Sequence, residues 1–361
     1  MTVSASAHGR VNLIGEHTDH SEGFVLPVLI PQATTVELEP RRDRIVRVMS
    51  ENVEAGTWHE HEIGTEEATG MWTDHVRGVT WALAREGLLE RGFEARVSSD
   101  VPMGAGLASS AALAVALLRA IRVGFTLDLD DVAVARVAQA AEREMVGANV
   151  GIMDQMAASV GAPGEALFLD CRSLAYERVA LPEAMELVVV DSGVVHRNSA
   201  GAYNERRAQC EEAARLLGVA ALRDLGPADE ARMGALPEPL VRRARHVVSE
   251  NARVLGAVAA LATCDLASLG ELLDGSHRSL RDDFEVSTAE IDLLVGLVRE
   301  QEGVYGARIT GGGSGGSVVA VADAGAGHHA AALAVAEYEQ RTGLDARILV
   351  PSGGALGDAL P

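Results

Sequence analysis

The chain has 361 residues, 48% of them hydrophobic, and its 31 basic residues against 52 acidic ones leave a net charge of −21. That length exceeds one ordinary hydrophobic core, so two domains are expected, and the negative charge argues against a nucleic-acid or anionic-membrane partner. Every basic residue is an arginine, and a chain without lysine excludes a Walker-type phosphate loop, a protein-kinase ATP lysine and Schiff-base chemistry by a side-chain amine.

The chain opens with Gly9-Arg10-Val11-Asn12-Leu13-Ile14-Gly15-Glu16-His17-Thr18-Asp19, which runs into the apolar segment 23–27. Charges of both signs beside a core segment must be paired or must hold something polar; a solvated loop is the competing reading. Alternation over 34–39 and 44–49 predicts two half-buried strands joined by a charged turn. Residues 73–89 have helical spacing, and 94–101 read as a strand ending at Pro102. After Gly104-Ala105-Gly106-Leu107 and Ala108-Ser109-Ser110, residues 111–118 favour helix. Acidic Asp128, Asp130 and Asp131 announce a helix over 132–145 with Gly147 as its stop. A short helix is expected over 154–160 and buried strands over 167–169 and 186–191. Helices follow over 202–217, 240–262, 266–273 and 288–301. The chain then reads as strand 306–310, glycine turn 311–316, strand 317–321, helix 328–342 and strand 346–350. Hairpins mixed with helices predict an α+β architecture rather than a purely parallel sheet.

Cys171, Cys210 and Cys264 are odd in number and far apart, without zinc or disulfide spacing, so a reducing cytoplasmic compartment is expected. The first ten residues lack an apolar segment and Arg119 interrupts the stretch that begins at Ala111, so neither a signal peptide nor a membrane span is expected.

Four segments carry candidate chemistry. In 102–112, glycines enter a helix whose first turn offers backbone N–H groups and a positive dipole end, an anion site without lysine. A plain glycine turn with serine as helix cap competes with this, and a dinucleotide fingerprint fits poorly because Ser109 stands where a third glycine is wanted. Glu142 is followed twelve residues later by Asp154 within Gly151-Ile152-Met153-Asp154-Gln155, so two carboxylates can approach across a turn. Asp154, in an apolar run, is a helix cap or a functional base. Tyr203, at the start of Tyr203-Asn204-Glu205-Arg206-Arg207, holds a hydroxylated ligand or simply packs. The 311–316 loop is a hairpin turn or a nucleotide neighbour.

Together these segments resemble the galactokinases of the GHMP small-molecule kinase superfamily. Three motifs match in order, GRVNLIGEHTD at 9–19, PMGAGLASSAA at 102–112 and ITGGGSGGSVVA at 309–320, with GIMDQ at 151–155 and YNERR at 203–207 extending the similarity over most of the chain. The resemblance implies a two-domain GHMP kinase fold of mixed sheets and flanking helices, divided at 1–180 and 181–361, with its active site in the cleft between domains. It implies ATP-dependent phosphorylation of the anomeric C1 hydroxyl of galactose by a cytoplasmic monomer that binds the sugar and ATP with Mg²⁺. Asp154 would act on the C1 hydroxyl with Arg10 beside it to offset charge as the phosphoryl group moves. Glu16, His17, Thr18, Asp19, Gly151 and Tyr203 would hold the sugar. Gly104, Ala105, Gly106, Leu107, Ala108, Ser109 and Ser110 would wrap the ATP phosphates, Ser50 would contact the nucleotide, and Ser110 with Glu142 would bind Mg²⁺. This chain departs from the pattern at Ala108, in place of a serine, and at His20, in place of a tyrosine that bears on sugar selectivity. Ser314 and Ser317 stand for a common phenylalanine and cysteine, read as a packing change, and Ala7-His8 precede Gly9 where alanine-proline is usual.

Overall fold

The computed structural model of the protein describes residues 1–194 and 199–350. In chain order the strands and helices of its first half are β1 (Val3–Asn12), β2 (Phe24–Val25), β3 (Pro27–Pro40), β4 (Ile45–Ser50), β5 (His59–Glu62), α1 (Asp74–Arg85), β6 (Phe93–Ser99), α2 (Ser109–Gly124), α3 (Asp131–Ala141), α4 (Met153–Val160), β7 (Glu165–Asp170), β8 (Tyr176–Ala180) and β9 (Met185–Asp191). The second half adds α5 (Ser199–Leu217), α6 (Glu230–Met233), α7 (Leu240–Ala262), α8 (Leu266–Asp282), α9 (Ala289–Arg299), β10 (Val304–Thr310), β11 (Ser317–Asp323), α10 (Gly327–Thr342) and β12 (Arg347–Val350). The expected α+β mixture is what the chain forms. None of the described helices is long and apolar enough to cross a membrane.

Two compact units share the chain. The first comprises Met1–Arg10, Leu29–Met103 and Leu107–Pro163. In it, β6 lies between β3 and β4, antiparallel to the first from Thr34↔Ser99 to Pro40↔Phe93 and parallel to the second from Arg47↔Glu94 to Ser50↔Val97. The strands over 34–50 are therefore joined by their charged turn without pairing to each other, because Phe93, Ala95 and Val97 bring a third apolar strand between them. The core joins Val36, Leu38, Val46, Val48 and Phe93 to Val76, Val79 and Leu83 of α1 and to α2, whose Val115, Leu118 and Ile121 are fully buried. A buried side chain of this size contributes roughly 1.5–3 kcal/mol. The Asp130 carboxylate caps α3 by accepting from the Ala133 N–H at 2.7 Å, as the acidic run predicted. The helix then widens into a π-type turn over Glu142–Val146 and stops at Gly147, φ 74°.

The described residues of the second unit are Val11–Val28, Gly104–Gly106, 164–194 and 199–350. Its four-stranded sheet has the order β10-β11-β9-β12, antiparallel throughout. The continuous apolar run Val188-Val189-Val190 suits the interior strand β9, buried on both faces. Helix α8 runs on to Asp282, beyond the predicted 266–273, and crosses β10 where two glycines meet. A Cβ on Gly270 would fall 2.1 Å from the Tyr305 carbonyl, and one on Gly306 would fall 2.2 Å from that of Gly270. Only a pair of residues without side chains permits that approach. Strands β5 and β8 carry no apolar alternation that a sequence reading would catch: His59–Glu62 is charged and four of the five residues of Tyr176–Ala180 are exposed.

Candidate active site

In the first unit, β1 delivers Arg10 to the first turn of α4. The Arg10 guanidinium donates to one oxygen of Asp154, Nε at 2.8 Å and Nη2 at 2.5 Å, both to Oδ1. The arginine side chain is 5% exposed and that of Asp154 28%, so the pair has one buried and one accessible partner. β1 gets close enough because residue 9 is glycine: a Cβ there would sit 2.9 Å from both the Leu107 carbonyl and Val101 Cγ1. The Arg10 N–H then donates to Leu107 O at 3.1 Å.

The helix that follows Leu107 begins without a side-chain cap. Ala108 occupies the cap position in the left-handed region, φ 59°, so the serine cap foreseen as the plain alternative does not form. Ser110 instead turns its hydroxyl to Glu142, donating to Oε1 at 2.9 Å, while Gln155 Nε2 donates to Oε2 at 2.8 Å. Burial pushes the Glu142 carboxyl above its usual range; the Ser110 bond opposes this and the Asp154 charge adds to it. The two carboxylates twelve residues apart thus share one neighbourhood. Ser50, at the end of β4, is buried and accepts from the Asn52 and Val53 N–H groups at 3.1 Å each, which shapes a turn. Gly151 lies half-buried just before α4.

In the second unit the 12–24 segment folds into a loop held from several sides. Glu16 is 3% exposed: its Oε1 accepts from Thr310 Oγ1 and the Gly311 N–H at 2.8 Å each, and its Oε2 accepts from Asn12 Nδ2 at 3.0 Å. Arg308, wholly buried, pairs with Glu16 Oε1 at 3.1 Å and donates to the carbonyls of Asn12 and Leu13 at 2.8 and 3.0 Å. His246 Nε2 lies 3.1 Å from the Glu16 carbonyl, and Glu250 Oε1 accepts from the Gly15 N–H at 3.0 Å. Asn251 Oδ1 accepts from the Phe24 N–H at 2.9 Å. Helix α7 therefore grips both ends of the loop with one face.

These anchors hold His17 in the left-handed region at φ 58°, which a non-glycine residue adopts only when its surroundings impose it. Its ring is 4% exposed, stacks 4.6 Å from Phe284 and 5.5 Å from Tyr203, and has no well-formed hydrogen bond at either nitrogen. Burial lowers its pKa to about 4; Glu16 opposes this and Arg308 adds to it, so the imidazole is neutral at pH 7. Buried nitrogens without partners are costly unless a ligand supplies them. The Thr18 hydroxyl spans the Gly15 and Phe24 carbonyls at 2.9 and 2.7 Å. Asp19 Oδ1 accepts from the His20 N–H at 2.9 Å, and the His20 ring stands edge-on to Tyr203 at 5.8 Å with Nε2 buried and unpartnered. The turn Gly104-Ala105-Gly106 belongs to this unit; both glycines have positive φ, 76° and 75°, and Gly104 is exposed.

Sequence reasoning missed Asn12, His246, Glu250, Arg308, Thr310 and Ser317 as supports of this site. Asn12, Thr310 and Ser317 lay inside matched motifs, but a lone His or Glu within the helical pattern of α7 reads as an ordinary helix residue.

The first unit carries an uncapped helix start, a guanidinium–carboxylate pair and a hydroxyl–carboxylate pair, and the chain is a small-molecule kinase of the GHMP class. The model of the GHMP kinases N terminal domain matches residues 74–162 and that of the GHMP kinases C terminal matches 257–339, while the galactokinase galactose-binding signature matches 2–40. Galactokinases of Chloroflexus aggregans and Chloroflexus aurantiacus are 44% and 45% identical over 360 residues, 98% of this chain and 92% of each relative. The crystal structure of Lactococcus lactis galactokinase complexed with galactose superposes with a TM-score of 0.89 at 31% identity, covering 96% of this chain and 92% of that one. A Methanococcus jannaschii mevalonate kinase, at 16% identity and a TM-score of 0.69, shares the fold. The chain belongs to the galactokinase family.

Proposed function

We propose that the protein transfers the γ-phosphoryl group of ATP to the C1 hydroxyl of galactose, giving α-D-galactose 1-phosphate and ADP, as a cytoplasmic monomer. The observation that carries this reading is the Arg10–Asp154 pair: the guanidinium donates to Oδ1 while the Asp154 side chain stays 28% exposed, so its carboxylate can also meet a ligand hydroxyl. The Asp154 carboxylate orients the C1 hydroxyl and takes its proton as O1 bonds to phosphorus and the bond to the ADP oxygen breaks. Arg10, fixed against Leu107 O, offsets negative charge on the moving phosphoryl group.

Glu16, His17, Thr18, Asp19, Gly151 and Tyr203 form the sugar side of this reading, supported by the buried His17 ring, whose polar contact with the Gly312 backbone is too poorly aligned to satisfy its nitrogens. Residues 104–110 and Ser50 form the nucleotide side, the α2 N-terminus and the glycine turn offering N–H groups to phosphate oxygens. Ser110 and Glu142 suit Mg²⁺: both are oxygen donors, and the raised pKa of buried Glu142 marks a negative charge that a cation would relieve. Held by Ser110 and Glu142, the ion would neutralise part of the negative charge of the phosphate groups. Along the chain, residues 1–180 and 181–361 are proposed as the two kinase domains, while 11–28, 104–106 and 164–180 group with the second compact unit. His20, an imidazole in place of the usual phenol and edge-on to Tyr203, bears on the alternative reading of a related sugar 1-kinase acting on another hexose or N-acetylgalactosamine.

The test is to incubate the pure protein with Mg²⁺, ATP and a panel of hexoses and to identify the phosphorylated carbon by NMR. Asp154→Asn should keep ATP and galactose binding and lose turnover by about 10²–10⁴-fold. Turnover near that of the wild type in this variant would refute the role of Asp154.

A further inference from the structure

The turn between β10 and β11 makes two separate attachments with its two ends. On the β10 side, the Thr310 hydroxyl and the Gly311 N–H converge on Glu16 Oε1 at 2.8 Å each. Thr310 is 1% exposed, and its hydroxyl also lies 3.2 Å from the Asn12 carbonyl. On the β11 side, the wholly buried Ser317 hydroxyl donates to the Ala105 carbonyl at 2.8 Å. The glycines of the two loops approach closely enough that a Cβ on Gly311 would stand 3.5 Å from Gly106 Cα.

Each attachment fixes the direction of a backbone group. A peptide unit is planar, with its carbonyl and its N–H pointing opposite ways. Holding the Ala105 carbonyl on Ser317 therefore sets where the Gly106 N–H points. On the other side, the grip on the Glu16 side chain acts together with His246 on the Glu16 carbonyl, and so sets the peptide that leads into the left-handed His17.

We propose that this hairpin turn is the positioning element for both substrates, with Thr310 setting the sugar segment and Ser317 setting the phosphate turn, each independently of the other. The proposal deepens the functional reading above and rests on its assignment of 12–19 to the sugar and 104–110 to the nucleotide. Ser317 is then a positioning residue rather than the packing substitution that its sequence position suggested. The two hydroxyls are 7 positions apart in the chain and reach different loops, so removing one leaves the other attachment intact.

The experiment compares the wild type with Thr310→Val and Ser317→Ala, near-isosteric changes that delete only the hydroxyl, and with Thr310→Ser, which keeps it. Steady-state kinetics with each substrate varied in turn are paired with calorimetric binding of galactose alone and of Mg-ADP alone, and with thermal melting. Thr310→Val should raise KM and Kd for galactose about fivefold, a typical cost of one buried hydrogen bond, with the nucleotide constants within about twofold. Ser317→Ala should do the reverse, and Thr310→Ser should restore galactose binding. A parallel rise of both sets of constants in either variant, tracking its melting temperature, overturns the assignment, as does no rise in either. Wild-type protein that binds neither galactose nor Mg-ADP overturns the functional reading itself. Normal wild-type binding with variants that fail to separate overturns the hairpin assignment alone.

Discussion

Glu250→Ala removes the carboxylate by which α7 holds the sugar-motif loop. That carboxylate is wholly buried and accepts from the Gly15 N–H at 3.0 Å, the Ser276 hydroxyl at 2.6 Å and Arg253 Nε at 2.6 Å. Burial opposes its ionisation, yet Arg253, with His246, Arg308 and the Ser276 bond, outweighs burial and brings its pKa to about 2. Against an ordinary glutamate, that depression corresponds to roughly 3 kcal/mol of folding free energy at neutral pH. Its sign follows from the direction: the contribution is complete above about pH 4.5 and is lost as pH falls toward 2. Truncation to alanine leaves the Arg253 guanidinium short of its carboxylate partner and the Gly15 N–H and Ser276 hydroxyl unpaired, a cost of about 3–5 kcal/mol. Melting at pH 7 should therefore drop by roughly 5 °C. Because Gly15 immediately precedes Glu16 and His17, KM for galactose should rise in the same variant while KM for ATP changes little. Glu250→Gln keeps an amide oxygen for the Gly15 N–H, so it should recover part of the melting temperature. Scanning calorimetry and kinetics decide the matter: a melting temperature within about 2 °C of the wild type, together with an unchanged galactose KM, would show that α7 does not hold the loop in this way.

Glu142→Gln should behave oppositely on stability. A carboxyl whose pKa is raised by burial costs folding free energy above that pKa, so neutralising it should leave the melting temperature at pH 7 unchanged or higher, while a Mg²⁺ titration shows turnover reduced about 100-fold. His17 and His246 are both held near 4 by burial, so the unfolded chain binds more protons than the folded one between about pH 6.5 and 4, and stability falls as pH drops through that window. Each contributes roughly 2 kcal/mol of loss between pH 7 and 5, and urea unfolding of His246→Gln at the two pH values should show that dependence shrink by this amount. Gly9→Ala should cost about 1–3 kcal/mol and lower turnover, because its methyl group would press on the Leu107 carbonyl that anchors Arg10; denaturant melts with a turnover assay check both.

Much of the fold was legible because its elements announce themselves locally. The acidic run before residue 132 predicted the α3 start that Asp130 caps, and the Val188-Val189-Val190 run predicted β9. Where pairing decides, local pattern was silent: 34–50 reads as two successive strands, and nothing within it reveals that β6 lies between them. The same holds for α8, which runs past 273 to Asp282 with Ser276, His277, Ser279 and Leu280 buried, three of them polar residues that break the apolar pattern. The serine cap offered as the plain alternative at the start of α2 does not form, because Ala108 takes the cap position and the Ser110 hydroxyl, in the first turn, donates to Glu142.

The sequence by itself determined the chemistry that is available: a lysine-free chain with a guanidinium, two carboxylates, an imidazole and a glycine turn in motifs that define a sugar kinase family. Short-range order along the backbone sufficed for that, since each motif carries its own turn geometry and residue types. Only the tertiary structure decided which of those groups stand exposed and which are buried against partners. The Asp154 side chain stays 28% exposed beside Arg10, whereas Glu16 is buried under Arg308, Thr310 and Gly311 from nearly three hundred residues away. A buried charge must find its partners wherever the chain brings them, and the distance along the sequence leaves no local trace of which residues those are.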